Sequence, residues 1–228
     1  YGFLFFDQIN NNYMKIYYEG LYKSESQSSD NFSKKLRFYS LFQIINYISK
    51  KKYYQNFAEC GCWNGHSSYC IAKILEKNNF NKQFYIFDSF ELGLSAKTEK
   101  DKINLKYKQN VNEEKKQKKY FFSNYNKVID LLKKFYFIKI YKGWIPDIFN
   151  SKINDKFSFI HIDLDLYEPT LKSLNFFYPK LIIGGIIVCD DYNISDFPGA
   201  KKAIDEFLHL NKVSFFYEIS FGGCIIVK

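Results

Sequence analysis

Apolar residues recur along this chain in two rhythms. Over 33–52, Leu36, Tyr39, Leu41, Phe42, Ile44, Ile45 and Ile48 fall at helical spacing, with Asp30 or Asn31 near the start, and predict an amphipathic helix lying against a sheet. Short apolar runs follow at 54–60, 83–87, 136–141, 157–162 and 181–189, separated by helix-like segments at 66–77 and 124–135, by a helix beginning at 146–149, and by a helix after residue 166. A last helix covers 200–210, and two closing runs, 213–219 and 224–228, are joined by Phe221-Gly222-Gly223, a hairpin signal. The order is five βα units and a closing hairpin. It predicts an α/β fold with a mostly parallel sheet and a C-terminal antiparallel hairpin. Residues 1–32 show no clear period and are read as an N-terminal extension with a short helix, a lid or an oligomer contact, ahead of one domain over 33–228.

The stretch from Phe157 to Tyr192 gives the strands their chemistry. Its first strand runs out into Asp163 and Asp165, and its second into Asp190 and Asp191. In a parallel sheet both ends lie on the edge where open α/β sheets bind ligands, so four carboxylates converge there. Such a cluster repels itself unless a cation, a proton or a cationic substrate group neutralises it. Capping of the following helices is the ordinary job of a lone Asp, but two clusters on one edge favour a site.

The run 54–60 meets a glycine turn before the helix at 66–77, an arrangement that brings backbone amides up to a nucleotide-like ligand. Its spelling, Glu59-Cys-Gly61-Cys-Trp63-Asn-Gly65-His-Ser67, is not the G-x-G-x-x-G of dinucleotide sites. An acid closes the strand and no third glycine admits a pyrophosphate. A cofactor without phosphates but with an amino or cationic group is favoured, and S-adenosylmethionine fits; alone, the loop reads nearly as well as a bare turn. Asp88, one βα unit later and followed by Ser89, stands where a carboxylate conventionally accepts the two hydroxyls of a ribose. A lysine-rich insertion over about 91–123 occupies the position of a lid or substrate loop. The third strand ends at Lys142-Gly143-Trp144, where Trp144 stacks on an adenine or joins the core.

Composition narrows the partners. The chain has 228 residues and a net charge of +9, but Arg37 is its only arginine, and nucleic-acid sites usually employ arginine. The charge is therefore read as a solvated lysine surface. Five cysteines without CxxC spacing, three of them in apolar strand-like runs, point to a reducing, cytoplasmic setting. The longest apolar run, 181–189, is too short to span a bilayer. The chain opens at Tyr1 with no signal pattern, as a trimmed chain or one part of a longer protein would.

Seven ordered motifs then converge. Glu59 to Ser67, Phe87-Asp88-Ser89-Phe90-Glu91, Lys142-Gly143-Trp144-Ile145-Pro146, Ile162-Asp163-Leu164-Asp165-Leu166-Tyr167-Glu168, Tyr178-Pro179, Gly184-Gly185 and Asp190-Asp191-Tyr192 with Gly199 to Ala203 resemble, in order and spacing, the macrocin O-methyltransferase family over roughly residues 35–228. The resemblance implies a class I methyltransferase fold, a Rossmann-like three-layer sandwich, using S-adenosylmethionine and a divalent cation, usually magnesium, to methylate a sugar hydroxyl. It implies Asp163, Asp190 and Asp191 as metal ligands, and Glu59, Gly61, Trp63, Gly65, Ser67, Asp88, Ser89, Gly143, Trp144 and Asp163 around the cofactor. Related catechol-type enzymes place a lysine base three residues after the first metal-binding Asp, where this chain has Leu166. Asp165 is the first choice of base, ahead of His66 and His161, and His161 is better read as a satisfied histidine within its strand. The acceptor is a small molecule or glycan with a free hydroxyl. A phenolic hydroxyl is the alternative within enzymes, and an RNA-binding or RNA-modifying protein the alternative from another class.

Overall fold

The computed structural model describes residues 10–102, 119–149, 153–220 and 222–228. Two helices open it, α1 (Asn11–Lys23) and α2 (Phe32–Ser49), followed by β1 (Asn56–Cys60), α3 (His66–Lys77) and β2 (Phe84–Asp88). Next come α4 (Tyr125–Leu132), β3 (Ile138–Lys142), β4 (Phe157–Ile162), α5 (Tyr167–Phe177), β5 (Leu181–Cys189) and α6 (Pro198–Leu210). The hairpin of β6 (Phe215–Glu218) and β7 (Cys224–Val227) closes the chain.

The sheet has seven strands in the order β3-β2-β1-β4-β5-β7-β6. Strands β1 to β5 pair in parallel, and β7 inserts antiparallel between β5 and β6. Alternation of side chains along the strands builds two cores. Phe57, Phe159 and Val188 face the layer made by α1 to α4, whereas Ala58, Cys60, Ile162 and Cys189 face α5 and α6. This is the three-layer arrangement expected of a class I methyltransferase.

Helix α1 is more than an appendage. Tyr13, Ile16, Tyr17 and Leu21 are buried in the same core as α2 and α3, and burial of each such side chain contributes about 1.5–3 kcal/mol. Asn10 caps the helix, accepting the amide of Tyr13 at 3.0 Å. The N-terminal helices are thus fixed to one face of the sheet.

One expected helix is absent among the described residues. Residues 145–148 form a turn, with Ile148 N–H donating to Trp144 O at 3.0 Å and Phe149 N–H to Pro146 O at 2.8 Å. The turn folds Ile148 back onto Gly143, where a Cβ would lie 2.4 Å from its Cγ2. No helix among the described residues is long and apolar enough to cross a membrane.

Candidate active site

Backbone hydrogen bonds join the C-terminal ends of the parallel strands. Gly143 N–H donates to Asp88 O at 2.9 Å, Gly61 N–H to Phe87 O at 2.8 Å, Asp163 N–H to Cys60 O at 2.8 Å and Asp190 N–H to Ile162 O at 2.9 Å. Strand order reverses between β1 and β4, so the crevice of the sheet opens outside these two strands. Gly61 leaves β1 at φ +85°, and a Cβ there would stand 1.8 Å from the carbonyl oxygen of Asp163. Only glycine lets the β1 and β4 loops approach this closely.

A cleft occupies the crevice. Gly61, Trp63, Asp88, Ser89, Gly143 and Trp144 line it, with Asp163 and Asp165 at its β4 side. Both ends of the 91–123 insertion reach the same cleft, through Gly93, Leu94 and Ser95 on one side and Phe121 on the other. The expected lid at 103–118 lies outside the described residues. Trp63 stacks on Tyr120 with centroids 5.7 Å apart, and its buried Nε1 has no hydrogen-bond partner among the described residues. A buried orphan donor in a cleft with aromatic walls suits a heteroaromatic ligand such as an adenine.

Asp88 has a structural task besides lining the cleft. Its Oδ2 accepts the amides of Cys62 at 2.6 Å and Trp63 at 2.9 Å, and its Oδ1 accepts that of Phe90 at 2.6 Å. Burial nevertheless pushes its carboxyl above the usual range, outweighing these three bonds.

Three residues expected around the cofactor lie elsewhere. Glu59 shares the sheet face of Phe57, so its carboxylate is fully buried beneath the edge, accepting from Ser68 Oγ and facing Nδ1 of His161 at 2.9 Å. Ser67 lines a small apolar void between α1, α2 and α3. Gly65 precedes α3 at φ +82° and packs on Val128 and Leu131.

The carboxylates divide by environment. Oxygens of Asp163 and Asp190 and a ring nitrogen of His161 lie within 4.8 Å of one another, a metal-sized group that does not include Asp191. Asp191 is turned toward the β4 loop, where its Oδ2 accepts the amide of Asp165 at 2.8 Å. Burial pushes Asp190 upward, but Arg37 and then His161 outweigh it and hold its carboxyl below the usual range. Burial, followed by the charges of Asp191 and Asp190, drives Asp163 well up. Asp165 is raised by burial and then by Asp191 and Asp163, and Asp191 is pushed up to about 6 by burial and then by Asp190. Asp190 is therefore held charged by its neighbours, whereas burial and mutual repulsion disfavour charge at the other three. A group of buried hard oxygen donors that repel one another fits a divalent cation such as magnesium.

His161 is satisfied within its strand, as expected, and it also touches the site. Its Nε2 lies 3.4 Å from Asp190 Oδ1, and its two carboxylate neighbours outweigh burial and raise its pKa well above the ordinary value. His66 lies in the α1–α3 layer, with Nε2 donating to Tyr17 O at 3.0 Å, and does not line the cleft.

Residues 29–219 match the family model described as Macrocin-O-methyltransferase (TylF). The chain belongs to the TylF family. It is 28% identical over 160 residues to the demethyldecarbamoylnovobiocin O-methyltransferase of Streptomyces niveus, covering 67% of this chain and 57% of that protein. It is 26% identical over 145 residues to the 8-demethyl-8-(2,3-dimethoxy-alpha-L-rhamnosyl)-tetracenomycin-C 4'-O-methyltransferase of Streptomyces olivaceus, covering 61% and 53%. The chain thus spans little more than half the length of these curated relatives. In fold it is similar to the O-methyltransferase NovP, with a TM-score of 0.66, 19% identity and coverage of 82% and 79% of the two chains. It is also similar to the calicheamicin methyltransferase CalS11, with a TM-score of 0.61, 15% identity and coverage of 96% and 93%.

Within this TylF-family site, sequence reasoning missed Arg37. Its Nε donates to Asp190 Oδ2 at 3.2 Å from α2, 153 positions away. The signal was there in composition, a single guanidinium in a chain that otherwise uses lysine. Its destination was not.

Proposed function

We propose that this TylF-family chain is an S-adenosylmethionine-dependent O-methyltransferase that uses a divalent cation, magnesium first, and acts on a hydroxyl of a sugar, a glycosylated metabolite or a nucleotide sugar. The observation that carries the reading is the double membership of Asp163, which lines the cleft beside the glycine loop and also belongs to the metal-sized group with Asp190. A methyl donor and an acceptor hydroxyl held on either side of one residue satisfy the proximity that methyl transfer needs.

When bound, S-adenosylmethionine supplies a methyl group activated on a sulfonium, and the cation lowers the pKa of the acceptor hydroxyl. The residues of the chain do the rest. Trp63 and Trp144 form the aromatic walls for the adenine, Asp88 and Ser89 meet the ribose, and Gly61 and Gly143 let the backbone come close. Gly65 closes that loop, its N–H donating to Cys62 O at 2.7 Å, while Glu59 and Ser67 stay behind it, away from the cleft. Asp163, Asp190 and Asp191 would hold the ion. Asp165, at φ +62° and 8% exposed, is the base that takes the hydroxyl proton on a carboxylate oxygen. Its left-handed backbone is a strained conformation of the kind that gathers at active sites.

The rhamnosyl group in one relative's name, and the description of CalS11 as a TDP-rhamnose 3'-O-methyltransferase, favour a sugar over a phenol. The sole arginine is engaged by Asp190, which leaves only lysine for any nucleic-acid surface. Five buried free thiols suit the reducing cytoplasm, where we place the protein.

The test is calorimetric titration with S-adenosylhomocysteine, then transfer of labelled methyl from S-adenosylmethionine to nucleotide-linked deoxysugars, glycosylated aglycones and catechol, each with and without a chelator. Binding followed by chelator-sensitive methylation of a sugar is expected. Absence of binding overturns the methyltransferase reading, equal turnover with chelator overturns the metal, and turnover of catechol alone overturns the sugar.

A further inference from the structure

Asp190 is held from two sides before any metal arrives. His161 Nε2 stands 3.4 Å from one oxygen and Arg37 Nε 3.2 Å from the other. The arginine comes from outside the sheet, on α2, whose Phe38, Leu41, Phe42 and Ile45 are buried in the core. Its side chain is only 21% exposed and that of Asp190 5%, so the pair is largely removed from solvent screening. One turn earlier on α2, Lys34 is tethered by Nζ to Ser29 Oγ at 2.6 Å, and it feels the charge of Asp163. A guanidinium on a ligand carboxylate and a divalent ion at the same carboxylate repel one another. In a site so little screened by solvent that repulsion opposes uptake of the ion.

We propose that Arg37 is a tethered counter-ion that shares Asp190 with the divalent cation and so weakens and regulates metal binding. The inference rests on the metal reading given above. With no ion bound, Arg37 keeps Asp190 charged and oriented. As an ion is taken up, the guanidinium yields its place, and α2 is thereby coupled to the loading of the site. Arg37 is a positioning residue here, acting through Asp190. A neutral side chain of similar reach should therefore bind metal more tightly, while costing stability when metal is absent because the carboxylates lose their only arginine.

The chain, its Arg37→Gln variant and its Arg37→Lys variant are titrated with manganese by electron paramagnetic resonance and with magnesium by calorimetry, and their melting temperatures are read in chelator and in excess magnesium. Arg37→Gln is expected to bind at least about fivefold more tightly, to melt lower in chelator, and to gain more from magnesium than the parent. Arg37→Lys, which keeps the charge, should stay close to the parent in affinity. Unchanged or weaker binding by Arg37→Gln overturns the proposal alone, as does a lysine variant that behaves like glutamine. If neither parent nor variants bind either ion, both the proposal and the metal reading fall.

Discussion

His161 Nδ1 lies 2.9 Å from Oε1 of Glu59, and neither side chain exposes any surface. The imidazole thus bridges a carboxylate on β1 to Asp190 at the end of β5. Glu59 is two hydrogen bonds removed from Asp190, and its substitution should be felt there. Glu59→Gln keeps the shape but breaks a buried charged pair, with an expected stability loss of about 3–5 kcal/mol. Turnover should fall much further than affinity for S-adenosylhomocysteine. Denaturant unfolding, calorimetry and a kcat measurement check this, and lost affinity with unchanged turnover would make Glu59 a direct cofactor ligand instead.

Two of the left-handed glycines, Gly61 and Gly184, separate backbone strain from steric contact. Both have φ above +70°, but an added Cβ at Gly61 meets Asp163 O at 1.8 Å, whereas at Gly184 nothing lies within 4 Å. Gly184→Ala should cost only the left-handed penalty, about 1–2 kcal/mol. Gly61→Ala should cost more and abolish cofactor binding, because the β1 and β4 loops must part. Comparing the two melting temperatures and their S-adenosylhomocysteine titrations tests the claim.

Asp88→Asn leaves one acceptor oxygen where three amides converge, and turns an NH2 group toward amide donors. Each unsatisfied group costs about 1–3 kcal/mol. The variant should be less stable and should bind S-adenosylhomocysteine more weakly, both because the glycine loop loosens. Full affinity in a destabilised protein would show that the loop holds without its carboxylate anchor.

Acid should destabilise the protein through His66. Burial first, then the nearby charge of Lys34, lowers its pKa from 6.5 to about 3. Between those values the unfolded chain takes up a proton that the folded chain refuses. The stability from His66 is complete above about pH 6.5 and is lost as pH falls, by about 1.4 kcal/mol per unit. Relative to pH 7.5, about 2 kcal/mol should be gone at pH 5. Urea midpoints of the parent and of His66→Gln at both pH values isolate this part, and the variant should show a smaller drop.

Much of this architecture could be read from local pattern. The helix over 66–77 starts and ends where its apolar spacing and glycine turn place it, and the parallel strands fall within a few residues of their apolar runs. Strand ends are marked by short-range chemistry, so Asp88, Asp163 and Asp190 could be assigned to one edge from sequence order and the geometry of βα units alone. Turn 145–148 could not be told from a helix start, because Ile148 N–H bonds Trp144 O just as a first helical turn would.

What the sequence determined by itself was the fold class, the carboxylate edge and the glycine loop beside it, since each depends on neighbours within a few positions. What only the tertiary structure decided was which way those side chains turn and who meets them. Glu59 goes beneath the edge because strand alternation places it opposite Cys60, and only the pairing of β1 with β4 puts His161 against it. Arg37 reaches Asp190 across 153 positions because α1 and α2 pack on that face of the sheet. Such pairings depend on register and helix packing, which no local pattern encodes.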